Sequence, residues 1–203
     1  MKQVIVDYIP FSITPTQINE ALKENNGKLV VKGVLQRAEA KNQNGRVYPR
    51  EILVREAKKY DENFVKQNRA LGELDHPDSS VVNLQNVSHN VKDMHFEGDN
   101  LVGTVEILTT PSGNILKELF RNGIKLGISS RGLGSVEMVR ESNGDTISKV
   151  GDDFELIAFD FVSNPSTHGA FLYPMNESVD KQGRTCGDYC RAEDIINHII
   201  RGE

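Results

Sequence analysis

Cysteine is nearly absent from this chain: only Cys186 and Cys190 occur, both inside the polar run Gly-Arg-Thr-Cys-Gly-Asp-Tyr-Cys-Arg. Two cysteines exclude a disulfide-stapled framework and point to a reducing compartment, with the cytoplasm as the expected origin. Their Cys-x3-Cys spacing with His198 downstream does not suit structural zinc, which needs four ligands at tighter, paired spacing. No metal and no cofactor are expected. Long apolar runs are also missing. Nothing approaches the roughly 20 residues of a spanning helix, and the opening Met-Lys-Gln-Val-Ile-Val-Asp-Tyr lacks the apolar region and small-residue cleavage site of a signal peptide. No membrane association is expected. The formal charge is -5, with lysines and arginines scattered among acidic neighbours. Without a basic stripe, nucleic acid is excluded as the primary partner.

What remains is 203 residues with 37% hydrophobic content and no internal repeat, enough for one core of ordinary size plus tails. Residues 1–13 read as a strand or extended arm. Thr14-Pro15 then opens a helix with the stripe Ile18, Ala21, Leu22, stopped by Asn25-Asn26-Gly27. Lys28 to Ala40 is a predicted strand that bends or bulges around Gly33. Pro49 begins a helix with Ile52, Leu53, Ala57, Tyr60 and Phe64 at spacings of three and four. Gln85 to Leu108 reads as a hairpin around Glu97-Gly-Asp-Asn100, whose first strand carries His89 and His95 six apart and therefore on one solvated face. Thr110-Pro111 opens another helix, lined by Ile115, Leu116, Leu119 and Phe120 and closed by Asn122-Gly123. A second hairpin turns at Glu141 to Asp145, Phe154 to Val162 is a buried strand holding one charge, Asp160, and Asn176 to Asp194 is polar. A short amphipathic end follows, through Ile195, Ile196, Ile199 and Ile200. The sum is α+β: a curled or closed, mostly antiparallel sheet, barrel-like, flanked by helices. The organisation expected is an arm and helix over 1–27, a main domain over 28–175, and a tail over 176–203.

The stretch Lys125-Leu-Gly-Ile-Ser-Ser-Arg-Gly-Leu-Gly-Ser135 carries the chemistry. Counting by twos, Ile124, Leu126, Ile128 and Ser130 share one strand face, and Gly127, Ser129 and Arg131 the other. Ser129 thus points away from the apolar row, onto an open face beside a flexible Arg-Gly-Leu-Gly segment whose amides can approach a substrate. That suits a nucleophile, although a strand ending in a turn gives the same letters. A serine needs a base and the base an orienting group, and the strand ends supply His76, before Pro77, and Asp160. His168 in Ser-Thr-His-Gly is a rival third member. Asp160 needs a partner because a buried carboxylate is costly alone, and Arg131 in a structural ion pair serves as well as a catalytic histidine. Metal hydrolysis through Glu73, Asp75, His76 and Asp78 is a weaker reading, since it offers one histidine. Arg-Gly-Leu-Gly is no phosphate loop, lacking its lysine and helix.

Four blocks, Asn44-Gly-Arg-Val-Tyr-Pro-Arg50, Leu71-Gly-Glu-Leu-Asp-His-Pro77, Gly127-Ile-Ser-Ser-Arg-Gly-Leu-Gly-Ser135 and Asp160-Phe-Val-Ser-Asn-Pro-Ser166, together resemble the prohead core proteases of T-even-like tailed phages. The resemblance runs from about residue 29 to 175 and implies a fold related to the herpesvirus assembly proteases. It implies a serine protease working inside the immature capsid, within the host cytoplasm. Its substrates would be scaffold or core proteins, capsid proteins and itself, and a homo-oligomer is compatible with the resemblance. By the same resemblance His76 is the family histidine, Ser129 the nucleophile and Asp160 the acid. Herpesvirus relatives use a second histidine instead, which keeps His168 as the alternative. Backbone amides in Arg131 to Gly134 or around Asn164 are the oxyanion candidates. Such proteases prefer an acidic residue before the cut and an aliphatic one two places earlier, a pattern that Ile18-Asn-Glu20 and Leu22-Lys-Glu24 fit. The rival class is an inactive structural or scaffolding protein with the same fold, which would hold His76 and Ser129 apart.

Overall fold

The computed structural model describes residues 3–11, 15–25, 27–42, 44–77, 79–124, 126–140, 144, 146–163, 172–174, 178–179 and 185–186. Strand β1 (Gln3–Phe11) leads to helix α1 (Pro15–Glu24), β2 (Leu29–Arg37) and the short β3 (Arg46–Val47). Helix α2 (Arg50–Tyr60) runs into a π-helical turn, Asp61–Val65, before β4 (Leu71–Glu73). The hairpin β5 (Val87–Glu97) and β6 (Asn100–Ile107) precedes α3 (Pro111–Arg121). Strands β7 (Leu126–Gly134), β8 (Val136–Arg140), β9 (Thr146–Val150) and β10 (Glu155–Val162) follow, and β11 (Leu172–Pro174), β12 (Ser178–Val179) and β13 (Thr185–Cys186) are short.

The local chemistry of these elements is ordinary. Gly27 takes φ +84° after α1 and Gly98 takes φ +60° in the hairpin turn, a region that costs other residues steric energy. Thr110 caps α3 by accepting from the Gly113 amide at 3.1 Å, with Pro111 in the first turn. That helix buries Gly113, Leu116, Lys117 and Phe120, whereas Ile115, expected in its apolar stripe, is 53% exposed.

The strands form a five-stranded sheet, β11-β2-β6-β5-β4, two three-stranded sheets, β1-β7-β10 and β3-β9-β8, and the pair β12-β13. All pair antiparallel except β3 with β9. The α+β class with mostly antiparallel sheets matches expectation; the closed barrel does not, because among the described residues each sheet is an open strand order with two edges. Bulges lie between Val34 and Gln36, between Val91 and Asp93, and between Leu156 and Ala158, and each adds local twist. The first lies two residues after Gly33, in the strand expected to bend or bulge there.

Edge strand β4 of the five-stranded sheet and edge strand β10 of the β7 sheet meet along a seam. Leu74 forms a parallel bridge with Phe161, and the Asp75 amide donates to the Phe161 carbonyl at 2.7 Å. Gly72 permits the approach: a Cβ there would sit 1.9 Å from the Phe159 carbonyl oxygen and 2.2 Å from His89 Nε2. Tyr60 from α2 and Phe120 from α3 close the seam by edge-on contacts with Phe159 and Phe161, at centroid distances of 5.7 and 5.6 Å. Gly72→Ala is therefore expected to cost about 3 kcal/mol by overpacking, while Gly98→Ala, with nothing within 4 Å of the new methyl, costs about 1 kcal/mol through φ alone. Urea unfolding of both variants reads the difference.

Candidate active site

Strand β7 is the central strand of its sheet, with β1 on one side and β10 on the other. Its register sets Ser129 opposite Asp160 of β10 and opposite Tyr8 of β1. The pleat separates the two serines as the period of two requires. Ser130 faces the five-stranded sheet, where its Oγ accepts from Gln36 Nε2 at 2.7 Å. Ser129 faces the seam, but that face is not open: Ser129 has no exposed surface, nor has Arg131. The Arg-Gly-Leu-Gly segment is likewise no flexible loop. It continues β7, paired on both sides through Leu133 and with β1 at Gly134, so it is held as strand. Its glycines make room: a Cβ at Gly132 would lie 2.4 Å from the Phe154 ring and 2.6 Å from the Glu155 carbonyl oxygen.

His76 comes to Ser129 from the loop after β4. The strand ends at Glu73, and Asp75 turns the chain with φ +70°, its Oδ1 accepting from the His76 amide at 2.9 Å. This turn also parts Glu73 from Asp75: Glu73 is fully buried, Asp75 exposed. Pro77 follows directly, restricting His76 to extended backbone. The imidazole, 17% exposed, then bridges two side chains. Its Nδ1 is 2.9 Å from Asp160 Oδ2 and its Nε2 is 2.8 Å from Ser129 Oγ. A carboxylate only accepts, so Nδ1 carries the proton, leaving Nε2 free to accept from the serine hydroxyl.

Asp160 is fully buried and four donors meet it. Oδ1 accepts from the Glu73 amide at 2.9 Å and from Arg131 Nη2 at 3.2 Å; Oδ2 accepts from Arg131 Nε at 2.7 Å and from His76. Burial pushes its carboxyl up, but the His76 and Arg131 hydrogen bonds, the Arg131 charge and the Glu73 amide outweigh it and hold it below the ordinary value. The partner question raised by the sequence has a double answer, since Asp160 binds the histidine and the arginine at once.

His89 escaped the sequence reading. The bulge at Lys92 switches faces between His89 and His95, so the two are not on one solvated face. His95 lies exposed between Asp93 and Glu97. His89 is fully buried and donates from Nε2 to the Phe159 carbonyl at 2.9 Å, which leaves Nδ1 to accept from Ser88 Oγ at 2.8 Å. It pins β5 to the residue before Asp160. Only the glycine at 72, four residues before His76, hinted that a ring needed space there.

Among the described residues no group of three or more histidines, cysteines or carboxylates could hold a metal, and no helix is long and apolar enough to cross a membrane. His168, Asn164, Asp78, Cys190 and His198 lie outside the described residues.

A buried carboxylate, an imidazole and a hydroxyl in file, at hydrogen-bonding distances, define the serine hydrolase class of site. The arrangement is unlike the separated residues that an inactive scaffold would show. Residues 4–180 match the family model described as "Prohead core protein serine protease", and the chain belongs to that family of serine proteases. It is 33% identical over 165 residues to the "Prohead core protein protease" of Enterobacteria phage T4, covering 79% of this chain and 76% of that protein. The structure of the bacteriophage T4 capsid assembly protease, gp21, superposes with a TM-score of 0.67 at 26% identity, over 79% of this chain and 98% of that one.

The seam has an acid limit. Burial lowers His89 to about 4, against the Asp160 charge and the Phe159 hydrogen bond, from an ordinary 6.5. In the unfolded chain this imidazole charges first as pH falls, so its contribution is intact above the ordinary value. It is lost between there and the folded value, a decline of about 3 kcal/mol. Urea unfolding between pH 7 and pH 4.5 is expected to show a shallower fall for His89→Gln than for the wild type.

Proposed function

We propose that this protease cleaves scaffold and capsid proteins inside the immature phage prohead during capsid maturation, using Ser129 as nucleophile, His76 as general base and acid, and Asp160 as the orienting carboxylate. The observation that carries this reading is the single imidazole shared by Ser129 Oγ and Asp160 Oδ2. In the reaction His76 Nε2 takes the Ser129 proton while Oγ adds to the scissile carbonyl. The imidazolium so formed is stabilised by Asp160 and returns the proton to the leaving amine. Water, deprotonated by the same imidazole, then adds to the acyl carbonyl, and the imidazolium returns that proton to Ser129 Oγ as the acyl bond breaks. No cofactor enters these steps. The names of the relatives support the capsid setting and polypeptide substrates, and the kinship of fold with herpesvirus assembly proteases belongs to the same reading.

Self-cleavage of the N-terminal segment after Glu20 or Glu24 is part of the proposal. Ile18 and Ala21 are fully buried, so α1 must unwind to present either site. Removal of the segment would take away β1, which runs along β7 with Tyr8 opposite Ser129. Ser129 has no exposed surface while that strand is in place.

Ser129→Ala is expected to abolish cleavage of co-expressed scaffold, a fall of about 10^4-fold or more, with Ser130→Ala retaining measurable activity; scaffold processing that survives Ser129→Ala contradicts the mechanism. Intact-mass analysis of assembled particles is expected to show loss of a segment ending at Glu20 or Glu24, and full-length chain throughout contradicts that part.

A further inference from the structure

Two charged groups beyond the triad are sealed into the same seam. Arg131 lies two residues after Ser129 and so shares its strand face. Its Nε and Nη2 hold both oxygens of Asp160, Nη2 also donates to Glu73 Oε1 at 3.0 Å, and Nη1 donates to the Ser79 carbonyl at 2.6 Å. Glu73 Oε1 accepts in addition from the Asn83 amide at 3.0 Å, and Oε2 has no partner among the described residues. One buried cation thus stands between two buried carboxylates, all three side chains without exposed surface.

Stability does not explain such a pair, since well-packed apolar residues commonly serve a fold as well. Geometry does. A carboxylate offers about four lone-pair sites and turns readily about its terminal bond. At Asp160 all four sites are filled, and the guanidinium supplies two of the donors in a rigid fork. With the fork in place Oδ2 faces His76 Nδ1 in one orientation. Without it, only the Glu73 amide and the imidazole that the carboxylate is meant to orient oppose rotation. Glu73 in turn fixes the fork from the far side, and together they tether the loop after His76 at Ser79 and Asn83.

We propose that Arg131 and Glu73 are positioning residues of the proteolytic reaction, Arg131 fixing the plane and charge of Asp160 and Glu73 fixing the guanidinium. The inference rests on the triad reading and deepens it. The groups facing Asp160 are His76 from the loop after β4, Arg131 from β7, and Glu73, through its amide and across Arg131 through its carboxylate. Tyr60 from α2 and His89 from β5 also sense its charge, both buried and uncharged at neutral pH.

The test is steady-state kinetics of wild type and variants alike, each freed of the N-terminal segment, on a fluorogenic peptide with an aliphatic residue two places before a glutamate at the cut. Arg131→Lys keeps the charge but not the fork, and is expected to lower kcat by about tenfold or more with KM within about threefold. The double variant Arg131→Met with Glu73→Gln removes cation and second carboxylate together. Asp160 then protonates at higher pH, because burial is no longer opposed by the arginine, and the acid limb of the kcat/KM profile is expected to move up by about one pH unit. An Arg131→Lys enzyme with kcat within about twofold of wild type, or a folded double variant with an unmoved acid limb, overturns the proposal. If the double variant does not fold, Arg131→Lys decides alone. A silent Ser129→Ala enzyme beside fully active pair variants counts against the pair only; cleavage that survives Ser129→Ala overturns the triad and the pair together.

Discussion

A single carboxylate in the dry interior sets the conditions for much of this structure. Asp160 lies in the middle of β10 among Phe159, Phe161 and Ala158, with no access to water. An ion there is tolerable only if donors are brought to it. They come from an amide of β4, a guanidinium of β7 and an imidazole from the loop after β4. To deliver them the two sheets must approach closely, and the approach requires a residue without a side chain at Gly72 and a histidine, His89, to satisfy the carbonyl of Phe159. The arrangement that makes the charge tolerable also sets a hydroxyl beside an oriented imidazole.

Much of this was legible in the residues. The period of two placed Ser129 and Ser130 on opposite faces because a strand pleat depends on local backbone alone. Threonine-proline openings and glycine stops marked α1 and α3 for the same reason. The four blocks that resemble the phage proteases pointed to His76, Ser129 and Asp160, and the structure brings those three together at 2.8 and 2.9 Å.

What was not legible depended on long-range pairing. A bulge is one residue out of phase, and nothing in the letters around Lys92 marks it, so His89 and His95 were read as neighbours on one face when they lie on opposite ones. The glycines at 132 and 134 read as flexible, yet they sit within a paired strand; the tight contacts that need them come from Phe154 and Glu155, twenty or more residues later. Ser129 was expected to be open because its own strand has a polar row, but a face is open only if no other element covers it. The choice between Arg131 and His76 as partner of Asp160 was posed as an alternative because sequence counts residues and not lone pairs.

The central claim is that Ser129, and not its neighbour, is the nucleophile raised by His76 and Asp160. Treatment of the enzyme freed of its N-terminal segment with an organophosphorus serine reagent, and location of the adduct by tandem mass spectrometry, tests it directly. The account predicts one phosphoryl adduct on Ser129, lost in His76→Ala. An adduct on Ser130, or labelling of Ser129 that persists without His76, would contradict it.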